Sequence, residues 1–292
     1  MSIAQQNPDG IAGPGGRVWL ITGASSGFGR ELAEAALAAG DTVVAAARRT
    51  DPLADLAEAH PGRVDAVSLD VTDQAEAARV VAAAVARHGR IDVLVNNAGR
   101  GLVGAVEETS DAELRDLMEL HFFGPAALTR AVLPHMRARR SGAIVQLTSM
   151  GGRMSFAGVG GYSATKFALE GLTEALAGEV APYGIKVMIV EPGAFRTSFA
   201  GGAALQQSVT QLDAYADSVG ALRTALPESD GKQPGDPARA AAAILRALDA
   251  EATPLRLALG TDAVEAIGDY LDTARAELSR WESVGRGADF DA

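Results

Sequence analysis

The chain has 292 residues, of which 48% are hydrophobic and 22% charged, a globular balance that excludes a disordered polymer. Its net charge of −11 and its lack of cysteine argue against nucleic acid or anionic membrane as partners and exclude disulfides, thiolate metal sites and cysteine nucleophiles. No apolar run approaches the roughly 18 residues of a membrane helix, and the first basic residue is Arg17, so the start lacks a basic secretory n-region and a cytoplasmic location is the expectation.

Residues 1–16 are polar and rich in Gly and Pro, ending in Gly13 to Gly16, and read as a flexible arm. From Arg17 onward short apolar runs alternate with longer helical patterns. The expected strands are Val18–Thr22, Thr42–Ala47, Val64–Leu69, Ile91–Asn96, Ala143–Thr148, Ile185–Glu191 and Leu255–Leu259. Most are apolar throughout, the mark of strands covered on both faces. The expected helices are about Gly29–Ala39, Asp73–His88, Asp111–Arg139, Gly161–Ala181, Pro237–Ala250 and Thr261–Trp281. Gly40 closes the first, Ser110-Asp111 with Glu113 opens the third, and Asp236-Pro237 opens a later one. Pro134 is expected to kink or stop the long third helix.

This alternation predicts an α/β doubly wound parallel sheet with right-handed crossovers. The segment from about 195 to 233 is the least regular, with Gly201-Gly202 as a hinge, and reads as a lid. A single domain over 17–285, with a tail at 286–292, accounts for the chain although length alone favours nearly two.

Thr22-Gly23-Ala24-Ser25-Ser26-Gly27-Phe28-Gly29 follows the first strand and opens the first helix. Glycines permit the tight turn and close backbone approach, and free N–H groups at a helix start attract a pyrophosphate. The choice of dinucleotide is read at the end of the second strand, where a carboxylate would hold the ribose of NAD. Here the chain reads Ala47-Arg48-Arg49, with no acid before Asp51. A guanidinium suits a 2′-phosphate, so NADP is favoured over NAD.

Tyr162 and Lys166 are four residues apart in a helical pattern and therefore share one face. An ammonium held beside a phenol favours the phenolate, which is expected to lower the tyrosine pKa from about 10. Ser149 lies just past the fifth strand, where its hydroxyl could hold a substrate oxygen while Tyr162 gives or takes the proton. Only three of the 26 cationic residues are lysines, Lys166, Lys186 and Lys232, so a chain that otherwise uses Arg places its compact ammonium at this spot.

With these motifs, Asp70 after the third strand, Asn96-Asn97-Ala98-Gly99 after the fourth, and Pro192-Gly193 with Thr197, the chain resembles the short-chain dehydrogenase/reductase family over most of its length. The resemblance implies a Rossmann-like, three-layer α/β/α domain with a seven-stranded parallel sheet, and a hydride transfer between nicotinamide and a carbonyl or secondary alcohol. It implies Tyr162 as general acid/base, Ser149 as the group orienting the substrate oxygen, and Lys166 as the grip on the nicotinamide ribose. It also implies contacts of the cofactor with the Gly turn, with Asp70 and Val71 at the adenine, with Asn97, Ala98 and Gly99 in the cleft, and with Pro192, Gly193 and Thr197. A homodimer or homotetramer through the helices 111–139 and 161–181 is expected by the same analogy.

One position departs from the family: His121 stands where an Asn usually holds a kink and a water relay to the Lys. A neutral imidazole could serve such a relay or could be packed, and His121 is retained as a candidate catalytic residue. His60, His88 and His135 lack metal-ligand spacing, and no metal site is expected. The segments Met150–Val159 and Phe195–Leu212, with Met154, Phe156, Phe195 and Phe199, are candidate walls for a hydrophobic substrate. Two other classes remain open from the sequence: a cofactor-binding regulator without chemistry, and an epimerase or dehydratase on the same scaffold.

Overall fold

The computed structural model describes residues 16–201 and 204–290; most of the N-terminal arm, Gly202 of the expected hinge and the last two residues lie outside them. Among the described residues the first three strands are β1 (Val18–Thr22), β2 (Thr42–Ala47) and β3 (Val64–Ser68). β4 (Val93–Asn96), β6 (Gly142–Leu147), β7 (Ile185–Pro192) and β9 (Arg256–Leu259) complete one parallel sheet in the order β3-β2-β1-β4-β6-β7-β9. β5 (Gly101–Val103) and β8 (Leu205–Gln207) form a separate two-stranded parallel sheet.

The strands are apolar throughout because alternate residues feed two cores. Trp19 and Ile21 of β1 join the cluster under α1 (Gly27–Ala38) and α8 (Pro237–Asp249). Val18 and Leu20 join the opposite cluster under α3 (Gln74–His88), α5 (Gly124–Arg139) and α6 (Gly160–Val180). Successive side chains of a strand point to opposite faces, so a sheet covered on both sides has no polar face. β1 pairs with β2 on one side and β4 on the other. The winding direction reverses between β1 and β4, and their carboxyl ends open a crevice there.

The helices start where their caps predict. Ser110 and Glu113 form a reciprocal capping box on α4 (Asp111–Met118), and Asp236 accepts the N–H groups of Ala238 and Arg239 at 2.9 and 3.3 Å on α8. Two expectations need correction. The stretch 111–139 is not one helix: α4 gives way to a wider π turn at Glu119–Phe123 before α5 begins. Pro125 cannot donate to the His121 carbonyl and would crowd it in a continuous α-helix, so the ladder opens one turn before the proline. Pro134 lies inside α5 and does not end it. Between 195 and 233 the chain is also more regular than expected, with β8 and α7 (Ala221–Glu228). A short helix α2 (Ala54–Ala59) was not anticipated, and the last helix, α9, runs Thr261–Arg286, five residues beyond its expected end.

Candidate active site

The Gly turn is a backbone device. Gly23 and Gly27 take φ of +65° and +54°, and a Cβ on Gly29 would lie 2.4 Å from the Gly23 carbonyl oxygen and 2.5 Å from Asn97 Nδ2. Only glycine fits such a turn without displacing its neighbours. Asn97 Nδ2 donates to the Thr22 carbonyl at 2.8 Å, while Thr22 Oγ1 accepts the N–H groups of Asn97 and Ala98 at 2.9 and 3.0 Å. Thr22 and Asn97 thereby tie the ends of β1 and β4 together. Ser26 caps α1 without a side-chain hydrogen bond, and the first turn carries no acid.

This turn forms one wall of a cavity of about 980 Å³. At one end are Arg48, Arg49, Asp70 and Val71; at the other are Ser149, Tyr162 and Lys166. Gly23, Ser25, Ser26, Gly27, Phe28, Asn97, Ala98, Gly99, Pro192, Gly193 and Thr197 also line it. Thr22, Gly29 and His121 do not line it: the first two shape the turn, and His121 sits behind the wall. Arg48 and Arg49 are exposed. Asp70 Oδ1 accepts from the N–H and hydroxyl of Thr72 at 3.0 and 2.8 Å. These bonds, joined by the charge of Arg48, hold its carboxyl below the usual range.

Tyr162 and Lys166 both occupy the first turns of α6, with Lys166 Nζ 5.6 Å from the centre of the phenol ring. The ammonium donates to the Leu147 carbonyl at 3.0 Å, and burial brings its pKa down to about 8 despite the opposing charge of Glu170. Burial pushes the Tyr162 phenol up to about 12, and the neighbouring Ser149 hydroxyl pulls the other way. The expectation that Lys166 acidifies the phenol is therefore not met by the chain's own groups. Desolvation outweighs an ammonium whose bond is spent on a carbonyl. Ser149 Oγ accepts the Gly151 N–H at 3.0 Å, leaving its proton to donate.

His121, in the π turn, is 1% exposed. Its Nε2 accepts the Arg100 N–H at 3.1 Å, so the proton resides on Nδ1, 2.9 Å from Thr165 Oγ1. Thr165 donates in turn to the Tyr162 carbonyl at 2.7 Å. Burial, with Lys166 and Arg100 nearby, keeps this imidazole neutral, its pKa well below the ordinary value. Both ring nitrogens are thus committed to the protein, and the ring stands edge-on to Tyr162 at 5.5 Å. Of the other histidines, His60 meets Arg63 at 3.1 Å and His88 meets Asp65 at 2.7 Å. Among the described residues there is no cluster able to hold a metal.

The candidate walls divide. Met150, Phe156, Val159 and Phe199 face the cavity, with Phe199 6.0 Å from the Tyr162 ring. Phe195 reaches its rim but mainly packs on Phe28 at 5.0 Å, and Met154 does not line the cavity. Sequence reasoning missed Leu102, Val103 and Leu226, which add apolar surface, and Asp262, whose Oδ2 accepts the Ala194 N–H at 2.6 Å. Asp262 was visible only as an acid in the first turn of α9; the three-residue β5 gave no periodic signal.

A family model described as short chain dehydrogenase matches residues 17–208. The oxidoreductase BOA17 of Botryotinia fuckeliana is 38% identical over 92% of this chain and 97% of its own. A 3-ketodihydrosphingosine reductase of Bacteroides thetaiotaomicron is 38% identical over 84% and 88%. A solved short-chain dehydrogenase from Streptomyces avermitilis is 62% identical, with a TM-score of 0.90 over 94% of this chain and 100% of that one. The family match, the sheet order and the crevice at the reversal point lead to one conclusion: the chain belongs to the short-chain dehydrogenase family and is an NAD(P)-dependent oxidoreductase.

Proposed function

We propose that the protein is a cytoplasmic NADP(H)-preferring reductase of hydrophobic ketones or aldehydes, acting in reverse on secondary alcohols. The observation that carries this reading is the placement of Ser149, Tyr162 and Lys166 at one end of the same cavity that has Arg48 and Arg49 at the other. The dinucleotide supplies the hydride when bound. The residues present fit it: a side-chain-free Gly turn with undonated N–H groups suits the pyrophosphate, and Arg48 and Arg49 suit a 2′-phosphate. Asp70 and Val71 would flank the adenine. Asn97, Ala98, Gly99, Pro192, Gly193 and Thr197 would line the nicotinamide half.

The chain's own groups perform the proton chemistry. Ser149 donates to the substrate oxygen, polarising the carbonyl. Tyr162, a protonated phenol over the whole physiological range, gives its proton to that oxygen as it becomes an alkoxide. Lys166 keeps positive charge beside the resulting phenolate. The positive ring of the oxidised nicotinamide would add to that stabilisation in the reverse direction. Phe156, Phe199, Leu102 and Leu226 exclude water and favour an apolar substrate. The Bacteroides relative is by its name a reductase of a keto compound, consistent with this choice.

We also expect an oligomer. Leu114, Phe123, Phe167 and Leu172 are exposed on the helices 111–139 and 161–180, which offers apolar area for subunit pairing. The reading is tested by following nicotinamide absorbance with NADPH and NADH over a panel of aliphatic and aromatic ketones, beside Tyr162→Phe. NADPH-dependent turnover is expected, with a loss of roughly a hundred- to ten-thousandfold in the variant and cofactor affinity retained. Tight cofactor binding with no turnover of any carbonyl would favour a regulator; turnover retained within a few-fold in Tyr162→Phe would remove its role.

A further inference from the structure

Beneath the Ser149 turn lies a charged cluster that the chemistry above does not use. Glu170 and Glu191 are both buried, at 3% and 1% exposure, which carboxylates rarely are. Glu170 stands one helical turn beyond Lys166 on α6, and Glu191 on β7 immediately precedes the Pro192-Gly193 turn. Thr148, the neighbour of Ser149, places its hydroxyl 2.9 Å from Glu170 Oε1 and 2.9 Å from the Val190 carbonyl oxygen. A Cβ on Gly152 would lie 2.2 Å from the same Oε1, so the Ser149 turn is pressed onto this carboxyl.

Charged groups from four elements surround Glu170. Lys166 and Glu174 come from α6, Arg153 from the turn after β6, Glu191 from β7 and Arg256 from β9. The cations are shared unevenly. Arg153 Nε donates to Glu191 Oε1 at 3.0 Å. Arg256 spends its terminal nitrogen on Glu174 at 3.0 Å, and its Nε stands 3.5 Å from Glu170 and 3.7 Å from Glu191. Counted with the Lys166 ammonium the cluster balances, three carboxylates against three cations, but Lys166 donates to the Leu147 carbonyl, so only two guanidiniums touch the three carboxylates. Glu170, the least firmly gripped of the three, is the one that takes up a proton. The hydrogen bonds agree: Thr148 has one proton for two acceptors, and a protonated Glu170 could donate to Thr148 Oγ1 while Thr148 donates to Val190.

We propose that Glu170 is a positioning residue with two states: protonated, it ties the Ser149 turn to α6 through Thr148; ionised, it is the charge that keeps Lys166 an ammonium as the medium turns alkaline. Burial and the Glu191 charge push the Glu170 carboxyl up to about 7, and Glu170 is the group that opposes burial at Lys166, itself near 8. The two groups therefore exchange influence over one narrow range of pH.

Glu170→Gln keeps the shape and never ionises. In the rate arm, which rests on the oxidoreductase reading, kcat/KM for carbonyl reduction should match the unmodified enzyme at about pH 6. Above about pH 7 it should fall away, the alkaline limb moving towards neutrality by roughly half a pH unit or more. Equal loss at every pH would mean packing alone, and coincident profiles would mean no coupling; either overturns the proposal. Thr148→Val removes the tie and leaves the charge, so it should lower the rate without moving the limb; an equal movement would overturn the proposed division of roles. The stability arm needs no substrate. A carboxyl whose folded pKa is raised gives stability that is full below about pH 4.5 and is lost as pH rises through about 7. The Tm of the unmodified chain should fall over that window relative to Glu170→Gln. Parallel curves would overturn the proposal even if no substrate were found.

Discussion

Two walls of the cavity are built on different principles. The Gly turn is held by backbone: glycines too close to their neighbours for any side chain, and Thr22 and Asn97 bonding to main-chain groups of β1 and β4. Beyond the backbone pairing of β8 with β5, the covering segment 209–228 is held by side chains instead. Glu108 accepts the Ala105 and Leu212 N–H groups at 2.7 and 2.8 Å and pairs with Arg223; Glu113 accepts the Val209 N–H at 2.9 Å. Tyr215 donates to Glu107 at 2.5 Å. A wall made of backbone has one shape and suits an invariant ligand, whereas a cover latched by carboxylates is adjustable and suits the variable one. The cofactor end should therefore tolerate little change, and the substrate end more.

Gly29→Ala attacks the rigid end and should have the largest effect. Overpacking against the Gly23 carbonyl should destabilise the fold by about 1–3 kcal/mol, and cofactor affinity should drop roughly tenfold or more. Denaturant unfolding and a fluorescence titration with NADPH measure the two; a native-like titration would show the turn to be more compliant than its geometry implies. Arg48→Asp should come next, shifting the NADP/NAD preference ratio by roughly ten- to a hundredfold, the worth of a charged hydrogen bond of about 1.5–3 kcal/mol. An unmoved ratio would place specificity elsewhere.

Glu108→Gln sharpens the contrast from the other side. It keeps one acceptor for the backbone of the covering segment but leaves Arg223 without its counter-charge, so KM for the carbonyl should rise several-fold while cofactor affinity holds. Equal losses of both would merge the two ends into one unit. His121→Asn should change least. The neutral imidazole resists a proton that the unfolded chain accepts near pH 6.5, so its stabilising share is present above that pH and lost on acidification. The variant should keep substantial activity and lose less Tm between about pH 7 and 5; an identical Tm profile would deny His121 any part in acid lability. A shifted pH–rate profile would revive a relay role, whereas an unchanged one accords with its two committed nitrogens.

Much of the fold was legible because its signals are local. Seven apolar runs mark the seven strands of the main sheet, each shifted at most two residues at either end. Ser110 and Asp236 cap helices as their residue types predict. Ser149, Tyr162 and Lys166 were legible by spacing, and the Gly turn by its strand–helix setting. Three things were not. β5 and β8 are three residues each, too short for a period, and exist only because each finds the other. The π turn needs the carbonyl of His121 and the ring of Pro125 to be seen together. The acid cluster joins Arg153, Glu170, Glu191 and Arg256 from four separate elements.

By itself, then, the sequence determined the strand and helix alternation, the glycine turn after the first strand and the spacing that singles out Ser149, Tyr162 and Lys166 as candidates, because each depends on periodicity or on near neighbours in the chain. Only the tertiary structure decided how those groups are charged and what covers them. Burial raised the Tyr162 phenol and lowered Lys166, and desolvation depends on atoms brought in from everywhere in the chain. The neutrality of His121 and the raised Glu170 carboxyl follow from the same cause.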